Sequence, residues 1–467
     1  MKSLLWLSLS LLAVQGRLRT NVPKSDPILQ AEAGREMLNR APFEDIINPY
    51  NINGYNGTTG YVVINSTTGS SMFYWQVNKF DTVIENDLAN PTPLIMWLQG
   101  GPGCSSEAGN LFEFGPWFYN DTTNTLQIRA NNWALDHHLL FIDNPLGAGF
   151  SFAATLEEYV TTEEQFADNL YYMLQRLADD HPTWFARSRP LYIFGESYGG
   201  HWVPTITARI LQENDNIPVT GNAYLPLAGI GIGDGWTDPI NQLFGYADFG
   251  YALGLLNEQE RANISYYESL GVAQMNAGFW PEAENAFGDL VSIVQYFTGK
   301  MGGPKMAGIN EYNYRVYGEY NMTYSTWCNE PSTKSLLGIP TAVTYEDCNN
   351  YAYNVLDYDF MKSVAFNFPY ILERIPVLLY NGQDDFIVHV ISAENWIANL
   401  DWPGQEGYLN APKYVWKIDD VPVGFARSYD KLTQLIVMKA GHMSPHDQIV
   451  ATRDMVNRFI NGTGFES

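Results

Sequence analysis

The stretch Pro190-Leu191-Tyr192-Ile193-Phe194-Gly195-Glu196-Ser197-Tyr198-Gly199-Gly200 decides how this chain is read. Its first half is a short apolar run with β-forming residues, the pattern of a buried strand. Its second half, Gly195-Glu196-Ser197-Tyr198-Gly199, matches G-x-S-x-G. A serine hydroxyl is a poor nucleophile, so it must be held exposed and beside a base. A sharp strand–turn–helix does the presenting, and the flanking glycines admit neighbouring backbone where a Cβ would clash. Residues 201–212 read as the helix that this arrangement requires. The expected fold is therefore α/β: an α/β-hydrolase fold with a mostly parallel central sheet, and Ser197 as nucleophile.

Outward from the elbow, short apolar runs at 60–65, 71–77, 93–98, 138–143 and 227–231 read as strands. Residues 162–179 place Phe166, Leu170, Met173, Leu174 and Leu177 at helical spacing and read as an amphipathic helix. From 236 to 368 the pattern changes: Tyr, Asn and Gly are frequent, periodicity is poor, and no short buried strand stands out. That segment is expected to be a cap inserted between a first core part, 17–235, and a second, 369–467. Strand signals return at 375–380 and 434–439, with a last helix near 446–460. Strands alternating with helices suggest a parallel sheet covered on both faces.

In this fold the chain order is Ser, then Asp or Glu, then His. Four histidines follow Ser197: His201, His389, His442 and His446. His201 lies on the elbow helix, before any strand that could supply the acid. His389 shares a segment with Asp384 and Asp385, and His446 reads as a helix start. His442 sits in a loop directly after the 434–439 strand, where a base at the sheet edge belongs. The acid is expected from Asn381-Gly382-Gln383-Asp384-Asp385, and spacing alone does not choose between the two aspartates. Its task is to set the imidazole tautomer and to stabilise the imidazolium. An oxyanion hole would use the Tyr198 N–H and one from the early turn Gln99-Gly100-Gly101-Pro102-Gly103.

Bulk properties narrow the setting. The chain has 467 residues, 46% hydrophobic and 16% charged, with a net charge of −25. Such an acidic chain lacks the basic face that nucleic acid requires, and its carboxylates suit an acidic compartment. Lys2, the apolar run at 4–14 and Gly16 read as a signal peptide over 1–16, too short to span a membrane. No later stretch is long and apolar enough to do so, so a secreted or lysosomal/vacuolar protein is expected. Six sequons, at Asn56, Asn65, Asn120, Asn263, Asn321 and Asn461, agree with the secretory route. There are three cysteines, Cys104, Cys328 and Cys348, so one must be left over.

Taken together, the residues resemble one family, the serine carboxypeptidases, relatives of lysosomal cathepsin A and of the yeast vacuolar and plant enzymes. The anchors are residues 97–106 (WLQGGPGCSS), 112–116 (FEFGP), 141–151 (FIDNPLGAGFS), 195–200 (GESYGG), 231–239 (GIGDGWTDP) and 440–443 (AGHM). The resemblance implies a triad of Ser197, Asp385 and His442, and an oxyanion hole from the backbone of Gly101 and Tyr198. It also implies that Gln99, Gly100, Glu113 and Glu196 bind the substrate's terminal carboxylate. Two carboxyls side by side cannot both ionise readily, so one keeps a proton and can donate to that carboxylate; activity is then expected to be strongest at acidic pH.

The sequence departs from the family at Gln99, where an Asn is usual, and at Gln383, where the first Asp of Gly-Asp-x-Asp lies. The resemblance further implies a Cys104–Cys348 disulfide, leaving Cys328 free or competing for Cys348. The expected activity is removal of C-terminal amino acids from peptides and proteins through an acyl-enzyme on Ser197. An acyltransferase on the same fold is the alternative, and a protective or binding scaffold a third reading. Neither cofactor nor metal is expected; the partners are peptides with a free C-terminus, and a homodimer is compatible.

Overall fold

The computed structural model describes residues 46–299, 308–316, 320 and 322–466. The expected signal peptide and the Asn321 sequon lie outside them. The first strands are β1 (Ile46–Ile52), β2 (Tyr55–Val63), β3 (Ser71–Val77), β4 (Leu94–Leu98), β5 (Trp117–Asn120) and β6 (Thr125–Ile128). They are followed by β7 (His138–Ile142), β8 (Leu191–Glu196), β9 (Leu227–Gly233), β10 (Val377–Gly382), β11 (Tyr414–Ile418), β12 (Val421–Tyr429) and β13 (Leu432–Val437).

Among the described residues, eleven of these make one sheet in the order β1-β2-β3-β7-β4-β8-β9-β10-β13-β12-β11, and β5 pairs with β6 apart from it. The pairs from β7 through β4, β8, β9 and β10 to β13 are parallel. Both margins are antiparallel. This is an α/β-hydrolase sheet. Every residue of β4, β7, β8 and β10 is buried, because helices cover both faces.

The alternation along β4 shows the two layers. Leu94, Met96 and Leu98 enter one core with Leu170 and Leu174 of the Glu163–Asp180 helix and with Trp202 and Ile206 of the Gly199–Thr220 helix. Ile95 and Trp97 face the other core, with Phe194, Trp133 and Met455 of the Ile449–Asn461 helix. The Glu163–Asp180 helix starts where Thr162 accepts a hydrogen bond from the Gln165 N–H, satisfying one orphan donor of the first turn.

The eight strands expected from sequence are present with shifted ends, while β1, β5, β6, β11 and β12 add to them. The elbow helix runs longer than expected, over Gly199–Thr220, and the last helix divides into Ser444–Asp447 and Ile449–Asn461. Residues 236–368, whose periodicity looks poor, contain two long helices, Glu258–Asn276 and Trp280–Gly299. The first buries Ile264, Glu268, Gly271 and Met275. Half of that face is Glu and Gly, so no apolar stripe marks it. Glu268 is buried because its carboxylate accepts the Gly245 and Ala247 N–H groups, at 3.1 and 2.9 Å.

Cys104 and Cys348 form a disulfide and Cys328 is a free, buried thiol. The disulfide ties the turn after β4 to the segment that precedes β10 by some 30 residues, and thus one wall of the site to the other.

Candidate active site

The C-terminal ends of five parallel strands deliver the site, where an open α/β sheet leaves a crevice. Ser197 follows β8 with φ of +60°, a left-handed conformation that a non-glycine residue adopts only when its surroundings enforce it. The Ser197 N–H donates to the Gly233 carbonyl at 3.0 Å, and the Ser197 carbonyl accepts from Gly200 and Trp236 at 2.9 and 2.8 Å. These bonds across β8 and β9 hold the elbow.

The turn after β4 packs against it. A Cβ on Gly100 would lie 2.5 Å from the Tyr198 nitrogen and 2.6 Å from Ser197 Cβ. Only glycine fits there, and that fit brings the backbone of 99–101 beside the nucleophile. Gly100→Ala is therefore expected to push the turn off the elbow and lower kcat/KM by about 100-fold or more, with a smaller change in Tm; steady-state kinetics on a purified, folded variant checks it.

His442 follows β13. Its Nδ1 lies 2.8 Å from Asp385 Oδ2, while its Nε2 is buried with no hydrogen-bond partner among the described residues, beside the cavity that Ser197 also lines. Asp385, in the loop after β10, uses its other oxygen to accept the Ile387 and Val388 N–H groups at 2.8 and 3.1 Å. Asp384 is engaged elsewhere, by Arg315 at 3.0 Å. Of the two adjacent aspartates, Asp385 is the one in contact with His442.

The other histidines are structural. His201 is buried with its ring nitrogens against the Trp236 and Lys362 carbonyls, and it stacks on Tyr198. His389 caps the Val390–Asn399 helix through Nδ1, accepting from Ser392 N–H at 3.0 Å. His446 lies flat on Phe112, with ring centroids 4.0 Å apart, and contacts the Phe112 carbonyl, which steadies the turn that carries Glu113.

Glu113 ends the wide, π-type helical turn Gly109–Glu113, and both its side chain and that of Glu196 are fully buried. Arg129 braces this turn by donating to the carbonyls of Leu111, Gly115 and Trp117. Burial pushes the Glu113 carboxyl up to about 7. Burial, and then the neighbouring Glu113 and Asp234 charges, hold Glu196 well above the ordinary carboxylate range. Gln99 completes the group: its oxygen accepts from the Trp97 indole at 2.7 Å, and its nitrogen donates to Glu196 at 3.0 Å. The longer side chain thus keeps an amide beside the two carboxyls.

A cavity of about 540 Å³ adjoins this cluster. Gln99, Gly101, Glu196, Ser197 and His442 line its floor, and Asn310, Tyr312, Tyr320, Tyr324 and Asp347 line its walls. Of two further contributors, Tyr312 carries no signal in sequence and Asp234 stands out there through the 231–239 anchor. Tyr312 accepts the His442 N–H through its carbonyl at 2.6 Å, and Asp234, at the end of β9, sits beside Asp385 and His442. Both come from segments far away in the chain.

Sheet, elbow and Asp–His pair define a hydrolase with a serine nucleophile. A family model described as serine carboxypeptidase matches residues 51–462. The chain belongs to the serine carboxypeptidase family and is a serine-type carboxypeptidase. It is 36% identical to the probable serine carboxypeptidase CPVL of Dictyostelium discoideum, over 88% of this chain and 79% of that one. It is 33% identical to the human protein of the same name, over 93% and 88%, and 30% identical to the venom serine carboxypeptidase of Apis mellifera, over 94% and 91%. Among solved structures, Kex1(delta)p, a prohormone-processing carboxypeptidase of Saccharomyces cerevisiae, superposes with a TM-score of 0.76 at 25% identity, covering 87% of this chain and 91% of that one.

Proposed function

We propose that Ser197, His442 and Asp385 cleave the last peptide bond of a substrate through an acyl-enzyme, and that Glu113, Glu196, Gln99 and Gly100 hold its terminal carboxylate. The observation that carries this reading is the buried Glu113–Glu196 pair beside the nucleophile. Two carboxyls in that position hold a proton, and a protonated carboxyl donates a hydrogen bond where an ionised one would repel an anion.

The Ser197 hydroxyl attacks the scissile carbonyl carbon as its proton passes to His442 Nε2. Asp385 keeps Nδ1 protonated and faces the imidazolium that results. The oxyanion is met by the N–H groups of Gly101 and Tyr198. The C–N bond then breaks, His442 returns the proton to the departing amine, and the acyl group stays on Ser197. Water attacks the ester, its proton goes to His442, and the shortened peptide leaves as Ser197 recovers its hydrogen.

The clamp requires its proton, so peptidase activity is strongest in acid. This fits the acidic chain, the expected leader over 1–16 and the sequons, and we assign the protein to a lysosomal/vacuolar or secreted setting. No described helix is long and apolar enough to cross a membrane. We read 236–368 as the cap that shapes the pocket for the last residues of the substrate, since those residues supply the cavity walls.

The test is to incubate the purified protein with N-blocked dipeptides between about pH 4.5 and 7 and assay free amino acid. Release of the C-terminal residue, fastest at the acid end, is expected. Turnover of simple esters without release from dipeptides would overturn the proposal.

A further inference from the structure

Asp234 is a buried carboxyl that the mechanism above does not use. It follows β9, one strand away from the loop that carries Asp385, and has a left-handed backbone with φ of +46°. Its oxygens, those of Asp385 and the His442 ring nitrogens come together, one ligand atom from each lying within 4.8 Å of the others. Three strand ends meet on it. Its N–H donates to the Tyr380 carbonyl at 2.7 Å. Its Oδ1 accepts the Gly382 N–H at 2.8 Å, and its Oδ2 lies 3.1 Å from Ser444 Oγ, two residues beyond His442.

Ser444 has one hydroxyl proton and two acceptors at 3.1 Å, Asp234 Oδ2 and the Gly441 carbonyl. When that proton goes to Gly441, Asp234 Oδ2 loses the Ser444 donor while the Asp385 carboxylate remains its charged neighbour. Two buried carboxylates in that arrangement cannot both stay charged, and a single shared proton turns the repulsion into a hydrogen bond.

We propose that Asp234 is a positioning residue of the catalytic relay, which carries a proton, donates it in a hydrogen bond to Asp385, and so holds that carboxylate on His442. The groups facing Asp234 are Asp385 from the β10 loop, Glu196 from the end of β8, Tyr380 within β10 and His442 beyond β13, and the two carboxyls among them favour a neutral form. Burial, followed by the Asp385 charge, keeps the Asp234 carboxyl well above the ordinary range. In acid the bond is made. As pH rises and Asp234 ionises, the two carboxylates repel, Asp385 loses its aim, and turnover falls. The relay thus supplies a second reason for acid activity, separate from the Glu113–Glu196 clamp.

The inference rests on Ser197, His442 and Asp385 acting as the triad. Its test uses an N-blocked amino acid ester, which lacks the terminal carboxylate and so does not depend on the clamp. Asp234→Ala removes the donor, and kcat at about pH 5 is expected to fall 10-fold or more. Asp234→Asn keeps an N–H donor that cannot ionise. It should recover most of that loss and move the alkaline limb of the kcat profile up by about one pH unit or more. A limb for Asp234→Asn that superposes on wild type would overturn the proposal. That comparison decides even if Asp234→Ala does not fold, with folding checked by circular dichroism and Tm. Failure of the triad reading would look different: Asp385→Asn and Ser197→Ala would then leave ester turnover intact.

Discussion

Ser197→Ala is expected to lower kcat for an N-blocked dipeptide by about 10⁴- to 10⁶-fold while leaving Tm within a few degrees of wild type. The effect is this large because the hydroxyl supplies the covalent step itself, and no other nucleophile lies on the cavity floor beside His442 Nε2 among the described residues. Residual turnover would come from binding and from the Gly101 and Tyr198 N–H groups acting on bound water. Stability should barely change, since the elbow is held by backbone bonds from Ser197 to Gly233, Gly200 and Trp236. Alanine makes the same bonds and tolerates the positive φ about as poorly as serine. A fluorophosphonate label, with kinetics on the same preparation, checks both halves. Labelling that persists in the variant would place the nucleophile elsewhere.

The second large effect concerns the clamp. Replacing both Glu113 and Glu196 by Gln should raise KM for a blocked dipeptide at pH 5 by about 10-fold, near 1.4 kcal/mol, and change ester kcat/KM by less than about 3-fold. The pH dependence is the sharper signature. Glu113 holds its proton up to about pH 7, so wild-type KM should climb as pH rises through that value. The amide variant cannot lose a proton, and its KM should stay flat.

Stability follows the same proton. The folded carboxyl, near 7, stands above its ordinary value of about 4.5. Its contribution is therefore fully present below about pH 4.5 and is lost as pH rises through about 7. Wild-type Tm should fall over that window, and the Gln variant should fall less. Equal losses for ester and dipeptide would show that the pair serves the reaction rather than the carboxylate.

The site was legible in sequence wherever chemistry and local structure coincide. Ser197 stands in a five-residue turn between a strand and a helix, and all three parts are contiguous. His442 stands directly after an apolar strand. The turn at 99–103 was found by its glycines after another. Each of these features lies within a few neighbouring residues, and burial on both faces makes the strands continuous apolar runs.

What failed to show needed contact across the chain. Glu113 looks like a surface glutamate between two phenylalanines; its burial depends on Arg129, His446 and the elbow packing around one short turn. Asp384 and Asp385 are equivalent by spacing, and Arg315 from the 236–368 segment separates them. The Glu258–Asn276 helix carries no apolar stripe because its buried face includes a glutamate and a glycine. Apart from the family resemblance, none of these was visible locally.

The sequence by itself therefore determined the sheet, the elbow that carries Ser197 and the turn beside it, because strand burial and elbow geometry are short-range and write themselves into neighbouring residues. Only the tertiary structure decided which carboxyls are buried side by side. A carboxyl's charge depends on how much water it loses and on which charges it meets. Glu113 meets Glu196, and Asp234 meets Asp385, only after strands far apart in the chain have packed side by side.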